Sequence, residues 1–272
     1  MRNMVLEGVA GALLDLDGCV YVGETAVPNA ASTIAGLKAK GLKIVFVTNN
    51  ATKTAAQYAS KLSKMGVAAE AGDILTSGMA TADYLFARYG SGRRVYVVGG
   101  EALREELSGV GCVILGEDRA TEAEFVVSCL DLEFTYDRLK AACYAIQAGA
   151  RYIATNLDPS FPVKGGYEPG AGSIAAALTT ATSAIPEVIG KPSGTIVEAA
   201  LKRLALDRKS VIVVGDRLQT DIKAARASRL RSVLVLTGSA SEDLKNPPAG
   251  LFPDATIDSI ADLPRLLRLT SG

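Results

Sequence analysis

The strongest constraint on this chain is the alternation of short apolar runs with helix-like segments along its whole length. Lys43–Thr48 (KIVFVT) is β-branched and aromatic, which is typical of a buried strand, and 28–40 before it has helical spacing. Comparable apolar runs recur at 93–98, 125–128 and 210–215. Because parallel strands need crossover connections, this alternation predicts a parallel sheet with right-handed crossovers. The predicted fold class is therefore α/β.

Composition excludes several classes of chemistry. Lys+Arg and Asp+Glu are 29 each, so the net charge is zero, which argues against nucleic acid as the main partner. Histidine is absent, so a His-based catalytic triad or metal site cannot form. Acid–base work then falls to Asp, Glu, Lys, Tyr or Cys, and oxygen ligands favour Mg²⁺ or Ca²⁺.

Cysteine usage and hydropathy indicate a cytoplasmic protein. The four cysteines, Cys19, Cys112, Cys129 and Cys143, form no CxxC pair, which disfavours a structural zinc site. The first residues lack the continuous apolar core of a secretory signal. No apolar run approaches the length of about 18 residues that a membrane span needs. We therefore expect reduced thiols and no membrane partner.

Polar residues that end the predicted strands are the candidates for function, because ligands of parallel sheets bind beyond the carboxyl ends of the strands. Two carboxylate pairs stand there, Asp15 with Asp17 in DLDG and Asp216 with Asp221 in GDRLQTD. Together they predict an oxygen-rich cation site. Each pair has an ordinary alternative: an Asp-Gly turn for the first, and for Asp221 an acid that complements a helix dipole. The CVYVG segment after DLDG predicts a small flap or hairpin.

Two further motifs, VTNN and GKP, offer groups that could hold an anion. The hydroxyl of Thr48 and the amides of Asn49 and Asn50 can bind an oxyanion, although such residues are also common in plain polar turns. Lys191 precedes a predicted helix capped by Ser193, where its charge opposes the helix dipole and favours a nearby anion. The alternative is a solvated lysine.

Taken in order, DLDG, VTNN, GKP and GDRLQTD resemble the four motifs of the haloacid dehalogenase superfamily of phosphohydrolases. TNLDPSFP and PGAGSIAAAL are similar to cap segments of its 4-nitrophenylphosphatase and phosphoglycolate phosphatase branch. The resemblance implies a Rossmann-like parallel-sheet core, 1–92 and 183–272, with an inserted α/β cap domain, 93–182. The strand–helix alternation within the insert predicts a sheet of its own. Its segment 157–172, with three of the ten prolines, predicts a loop.

The resemblance also implies a role for each core motif. Asp15 would be the nucleophile that forms an aspartyl-phosphate, and Asp17 would be the general acid and base. Thr48 and Lys191 would hold the phosphoryl oxygens. Cys19 departs from the Thr that often follows the first motif, and because Cys is a weak donor it would orient Asp17 less firmly.

Metal and substrate contacts follow from the same resemblance. Asp15, the backbone carbonyl of Asp17 and Asp216 would bind Mg²⁺, with Asp221 ordering its waters. A carboxylate that attacks a phosphate dianion meets like-charge repulsion, which Mg²⁺ offsets. The predicted substrate contacts are Gly18, Asn49, Asn50, Asn156, Asp158 and Phe161.

The predicted function is a Mg²⁺-dependent phosphomonoesterase that acts on a small phosphorylated metabolite and forms a homodimer through the cap. Candidate substrates are 4-nitrophenyl phosphate, phosphoglycolate, glycerol phosphate and sugar or nucleotide monophosphates. Two alternatives belong to other classes: a phosphorylation-switched receiver domain and a non-catalytic phosphate-binding protein. A receiver is disfavoured because Lys191 precedes the last acids and the chain is over twice the length expected for such a domain.

Overall fold

The computed structural model describes residues 5–163, 166–240, 244 and 247–269. Its contacts divide the chain into two units. The first comprises the residues up to Thr48, Ala55–Leu75, and those from Lys191 onward, and the second comprises Asn49–Thr54 and Thr76–Gly190. In the described ranges, every helix is too short or too polar to cross a bilayer.

The regular elements follow the alternation that the sequence predicts. The strands are β1 (Leu6–Val9), β2 (Gly11–Leu14), β3 (Tyr21–Val22), β4 (Thr25–Ala26), β5 (Lys43–Thr48), β6 (Ile74–Thr76), β7 (Arg94–Val98), β8 (Val113–Leu115), β9 (Phe125–Ser128), β10 (Arg151–Ala154), β11 (Ser160–Val163), β12 (Gly166–Pro169), β13 (Glu187–Val188), β14 (Val211–Gly215), β15 (Arg231–Val235), β16 (Ala255–Ile257) and β17 (Leu267–Leu269). The helices are α1 (Ala30–Ala39), α2 (Ala55–Lys64), α3 (Ser77–Tyr89), α4 (Glu101–Gly109), α5 (Tyr136–Gln147), α6 (Ala171–Thr182), α7 (Gly194–Leu204), α8 (Lys223–Ala227) and α9 (Leu263–Leu266).

A six-stranded sheet in the order β16–β15–β14–β2–β5–β6 forms the centre of the first unit. Strand β2 lies between β14 and β5 and pairs with both in parallel, so that Leu14 is opposite Val214 and Phe46. All four β2 residues are buried, which explains their unbroken apolar run, since strands of a covered parallel sheet are apolar on both faces. The register brings the residues that follow Leu14, Phe46 and Val214 to one edge of the sheet.

The second unit has its own parallel sheet, in the order β13–β10–β9–β7–β8. Buried side chains of the sheet and of α5 and α6, including Tyr96, Val126 and Leu178, form its core. The predicted insert, 93–182, lies within this unit. The unit also takes in β13, because Ile153 and Ala154 of β10 pair with Glu187 and Val188, and α3, which packs against α4.

The prediction of a loop over 157–172 is wrong in part, because that segment contains a hairpin. Strands β11 and β12 pair antiparallel from Ser160 opposite Pro169 to Val163 opposite Gly166. Proline has no backbone N–H to donate to a neighbouring strand, so it is excluded from the interior of a sheet. In a two-stranded ribbon both strands are edge strands, where proline is tolerated. Helix α6 begins at Ala171, within the segment predicted as a loop, with Gly170 as its N-cap.

Candidate active site

Three carboxylates meet at the carboxyl edge of the core sheet. Asp15 follows β2, Asp216 follows β14, and Asp221 lies in the π-helical turn Leu218–Ile222 that leads into α8. One oxygen of each carboxylate lies within 4.8 Å of the others. Asp216 and Asp221 are buried and Asp15 is partly buried. The strand-end rule thus locates this group from the sequence.

Lys191 is the cation of this cluster. Its side chain is buried, and its ammonium donates to Asp15 at 2.5 Å, to Asp221 at 2.7 Å and to the Val47 carbonyl at 3.1 Å. Burial by itself would lower the pKa of Lys191, but the adjacent carboxylates raise it above its usual value. The lysine therefore stays protonated and presents a fixed positive charge. Ser193 caps α7, as predicted, by accepting from the Thr195 amide.

The cluster holds more negative than positive charge. Burial, together with Asp221 and Asp216, raises the pKa of Asp15, although Lys191 opposes the shift. Burial and the Asp221 carboxylate raise the pKa of Asp216 to about 6. Carboxylates with raised pKa values are short of counter-charge, and a bound cation would supply it.

Asp216 carries the observation that points to a cation. Its Oδ2 accepts from the Ser239 amide at 2.6 Å, whereas its Oδ1 is buried and has no hydrogen-bond partner among the described atoms. A buried carboxylate oxygen without a partner needs an explanation, and coordination to an ion is one. All the ligand atoms that these side chains offer are oxygens, so the residues fit a hard divalent cation such as Mg²⁺.

The backbone around the acids has no room for side chains. A Cβ at Gly18 or at Gly238 would collide with the Asp216 carboxylate, and one at Gly215 would collide with Asp221. The positive φ of Gly18, 84°, adds a second reason for glycine there. The Thr237 hydroxyl donates to the Gly18 carbonyl at 2.6 Å and so ties the loop after β15 to the first motif.

Thr237 and Ser239 are contacts that the sequence reasoning did not single out. Both lie in the loop that follows β15, and a wider application of the strand-end rule would have included them. Thr48 is where the prediction puts it, buried at the end of β5.

Asp17 is separate from the carboxylate cluster. Its side chain is exposed, and its backbone forms a β-bridge with Tyr21. Although it reaches the surface, loss of hydration raises the pKa of Asp17, and Lys61 and the Gly23 amide oppose that shift. Cys19 is fully buried, and burial raises the pKa of its thiol, so it lacks the thiolate character of a reactive cysteine.

The remaining predicted contacts belong to the second unit, where Asn49 joins them. Its side-chain amide donates to Asp158 at 3.0 Å. Its backbone carbonyl accepts from Asn156 at 2.8 Å and from Ser77 at 2.5 Å. Asn50 instead accepts from the amide and hydroxyl of Thr52, an Asx turn that matches the plain alternative for this motif.

A small cavity of about 60 Å³ gathers these side chains within the second unit. Its walls combine amide, carboxylate and hydroxyl groups with the ring of Phe161 and the side chain of Leu130. The lining residues are Asn49, Asn50, Ala51, Leu130, Asn156, Asp158, Ser160, Phe161, Gly170 and Ala171. The structure therefore brings together the five substrate contacts predicted for this unit, whereas Gly18 lies with the acids of the first unit.

Comparisons with known proteins identify the family of this chain. Residues 12–113 match the profile of the haloacid dehalogenase-like hydrolases, and residues 188–263 match that of the HAD-hydrolase-like family. An acid sugar phosphatase of Staphylococcus aureus is 37% identical over 255 residues, which cover 92% of this chain and 96% of that protein.

Solved structures of phosphatases have the same fold. A p-nitrophenyl phosphatase from Archaeoglobus fulgidus superposes with a TM-score of 0.87 at 36% identity, covering 94% of this chain and 98% of that one. A glycerol phosphate phosphatase from Mycobacterium tuberculosis, in complex with magnesium, gives 0.86 at 35% identity, covering 94% of this chain and 76% of that one.

These relatives confirm the predicted fold, a parallel-sheet core with an inserted α/β cap, and the predicted phosphatase activity. The receiver and non-catalytic alternatives are therefore not supported. The chain belongs to the haloacid dehalogenase-like hydrolases, in the 4-nitrophenylphosphatase branch, and is a phosphoric monoester hydrolase.

Proposed function

We propose that the chain is a Mg²⁺-dependent phosphomonoesterase of small phosphorylated metabolites that acts through an aspartyl-phosphate on Asp15. The observation that carries the proposal is the carboxylate cluster of Asp15, Asp216 and Asp221, which has one buried lysine and an unpaired Asp216 oxygen. The magnesium-bound glycerol phosphate phosphatase supports the choice of metal.

In this mechanism an Asp15 oxygen forms a bond to phosphorus as the bond from phosphorus to the ester oxygen breaks, so Asp15 becomes phosphorylated and the alcohol leaves. Lys191 and Thr48 hold the phosphoryl oxygens on which negative charge accumulates. Asp15, Asp216 and the Asp17 carbonyl would hold Mg²⁺, with Asp221 beside them. When bound, the ion offsets the repulsion between a carboxylate and a phosphate dianion.

Asp17 serves both half-reactions as the proton carrier. It protonates the leaving alcohol and then accepts a proton from the water that hydrolyses the aspartyl-phosphate, so it ends each cycle as it began. Its position outside the cluster of acids suits this role, because a group that coordinates the ion through its carboxylate could not exchange protons freely.

Asp17→Asn is expected to slow ester cleavage according to the leaving group. Loss of a general acid costs about 10²- to 10⁴-fold, but nitrophenolate leaves without a proton and its release should suffer least. Single-turnover release of alcohol from glycerol phosphate and of nitrophenol from 4-nitrophenyl phosphate measures the difference. An equal loss for both esters would contradict the assigned role.

We propose that the inserted 93–182 segment is the cap that selects the leaving group. The cavity with Asn156, Asp158 and Phe161 supports this assignment, because it presents both polar groups and an aromatic ring. The acid sugar and glycerol phosphate phosphatases among the relatives suggest a polyol or sugar phosphate as substrate. Phosphate release from a panel of phosphorylated metabolites tests this class directly.

Phe161→His is expected to reorder kcat/KM across that panel while hydrolysis of 4-nitrophenyl phosphate persists. The reason is that discrimination reflects differential contact with the transition state, whereas the core unit supplies the chemistry. Val163→Ala, in the same hairpin strand but outside the cavity lining, is the matched control. A uniform fall for all substrates would assign Phe161 to packing of the hairpin instead.

We also propose a homodimer formed through the second unit. Strand β8 is an edge of that unit's sheet, and its Val113 is exposed, as are Leu132 and Tyr136 of the same unit. Light scattering at micromolar concentration should give twice the mass of the chain, and a monomer would disprove the dimer.

We propose a cytoplasmic location for the protein. All four cysteines are free, as is usual in a reducing compartment.

A further inference from the structure

A two-stranded hairpin follows the first motif and is too small to be stable alone. Strands β3 and β4 pair only Tyr21 with Ala26 and Val22 with Thr25. Isolated hairpins of this size are marginal in water. At the tip, Gly23 has a positive φ of 58°, and glycine adopts positive and negative φ almost equally. The conformation of the tip must therefore be fixed by contacts from outside the hairpin.

Lys61 of α2 provides those contacts. Its ammonium donates to the Gly23 carbonyl at 2.7 Å, lies 3.1 Å from the Glu24 carboxylate and is 4.0 Å from the centre of the Tyr21 ring. The Lys61 side chain is only 14% exposed, which is low for a lysine on an outer helix. One cation thus contacts three residues of the hairpin, and the Tyr21 contact is a close cation–π interaction.

The hairpin in turn contacts the proton carrier. Asp17 forms a β-bridge with Tyr21, and the Gly18 amide donates to the Tyr21 carbonyl at 2.7 Å. Tyr21 thus contacts the backbone of the first motif and, through its ring, the Lys61 ammonium. Holding Tyr21 and the Gly23 carbonyl therefore restrains the backbone that carries Asp17.

We propose that Lys61 is a positioning residue for the reaction: it holds Tyr21 and the hairpin tip, and so fixes the backbone that carries Asp17 and directs this carboxyl group at the leaving oxygen. The proposal rests on the assignment of Asp17 as general acid and base. Cys19 stands where the related motif often supplies a threonine, so this chain lacks that hydroxyl contact to Asp17. Lys61 and the hairpin restrain Asp17 through its backbone instead.

The test is the dependence of single-turnover cleavage on the leaving group, measured with 4-nitrophenyl phosphate and phenyl phosphate. Lys61→Met should slow cleavage of phenyl phosphate by about 10- to 100-fold, the loss expected when a catalytic group is displaced. The same substitution should slow cleavage of 4-nitrophenyl phosphate by less than about threefold, because that leaving group needs no proton. Inhibition by inorganic phosphate should be unchanged, since Lys191 and Thr48 are intact.

Three variants accompany this measurement. Lys61→Arg keeps the charge and a donor and should restore most of the phenyl phosphate rate. Lys64→Met, an exposed lysine of the same helix, should leave both rates unchanged. Lys61→Gln retains a donor for the Gly23 carbonyl, so its rate of phenyl phosphate cleavage should lie between those of the wild type and Lys61→Met. This variant keeps the test valid if the methionine variant folds poorly.

Equal losses on both esters, or no loss on either, would overturn the proposal, because a merely structural lysine does not discriminate leaving groups. Asp17→Asn in the same assay separates this failure from failure of the proposed function. If Asp17→Asn steepens the leaving-group dependence and Lys61→Met does not, the role of Lys61 alone is wrong. If neither does, the role of Asp17 is wrong.

Discussion

Asp15→Asn should abolish phosphatase activity while the protein stays folded. The amide has the size of the carboxylate but cannot act as the nucleophile, and loss of a covalent nucleophile costs roughly 10⁴-fold or more in kcat. Stability should not fall, because the substitution removes one charge from a buried cluster of three acids and leaves Lys191 paired with Asp221. The measurements are kcat with 4-nitrophenyl phosphate and the thermal unfolding midpoint.

Asp258→Asn is the matched control for this prediction, since Asp258 is an exposed aspartate at the end of β16. It makes the same chemical change outside the cluster and should leave kcat unaltered. An Asp15→Asn enzyme with near-normal turnover would rule out Asp15 as the nucleophile. A large drop in the unfolding midpoint would instead show that Asp15 is needed for the fold.

Removal of divalent metal should reduce turnover nearly as much as Asp15→Asn does. EDTA is expected to eliminate turnover, and added Mg²⁺ should restore it, because without the ion two or more buried carboxylates confront the phosphate dianion. Asp216→Asn should raise the Mg²⁺ concentration needed for half-maximal activity by about 10-fold or more, since it removes a charged ligand.

Binding can be followed without catalysis, which separates loss of the ion from loss of chemistry. Mg²⁺ should raise the unfolding midpoint of the wild type, because a ligand that binds only the folded state stabilises it. Asp216→Asn should shift the concentration dependence of that rise to higher Mg²⁺. Full activity in EDTA, or an unfolding midpoint that does not respond to Mg²⁺, would contradict a metal site at these acids.

The meeting of the core motifs at one sheet edge could be predicted from the sequence because it depends on one topological rule. Asp15 and Asp216 follow strongly apolar strands and Thr48 ends one, and parallel strands bring their carboxyl ends to one edge. Strand β5 and strand β9 have their predicted bounds, Lys43–Thr48 and Phe125–Ser128, since β-branched and aromatic runs there are unambiguous.

Other features depend on contacts that no local pattern shows. Lys61 reads as an ordinary surface lysine of α2, and only the folded hairpin places Tyr21 and Gly23 against it. Strand β13 has two residues, too few for a periodicity, and forms because β10 offers a free edge. The hairpin of β11 and β12 is hidden by its prolines, which signal a loop wherever pairing partners are unknown.

The most direct test of the central claim is to look for the phosphoryl group on Asp15. The enzyme with Mg²⁺ is mixed with 4-nitrophenyl phosphate, quenched in acid within a turnover and examined by intact mass and peptide mapping. We predict one phosphoryl group on the peptide that contains Asp15, none in Asp15→Asn, and more in Asp17→Asn, where hydrolysis of the aspartyl-phosphate is slowed. Nitrophenol release with no phosphoryl group on the protein, or a phosphoryl group on another residue, would contradict the account.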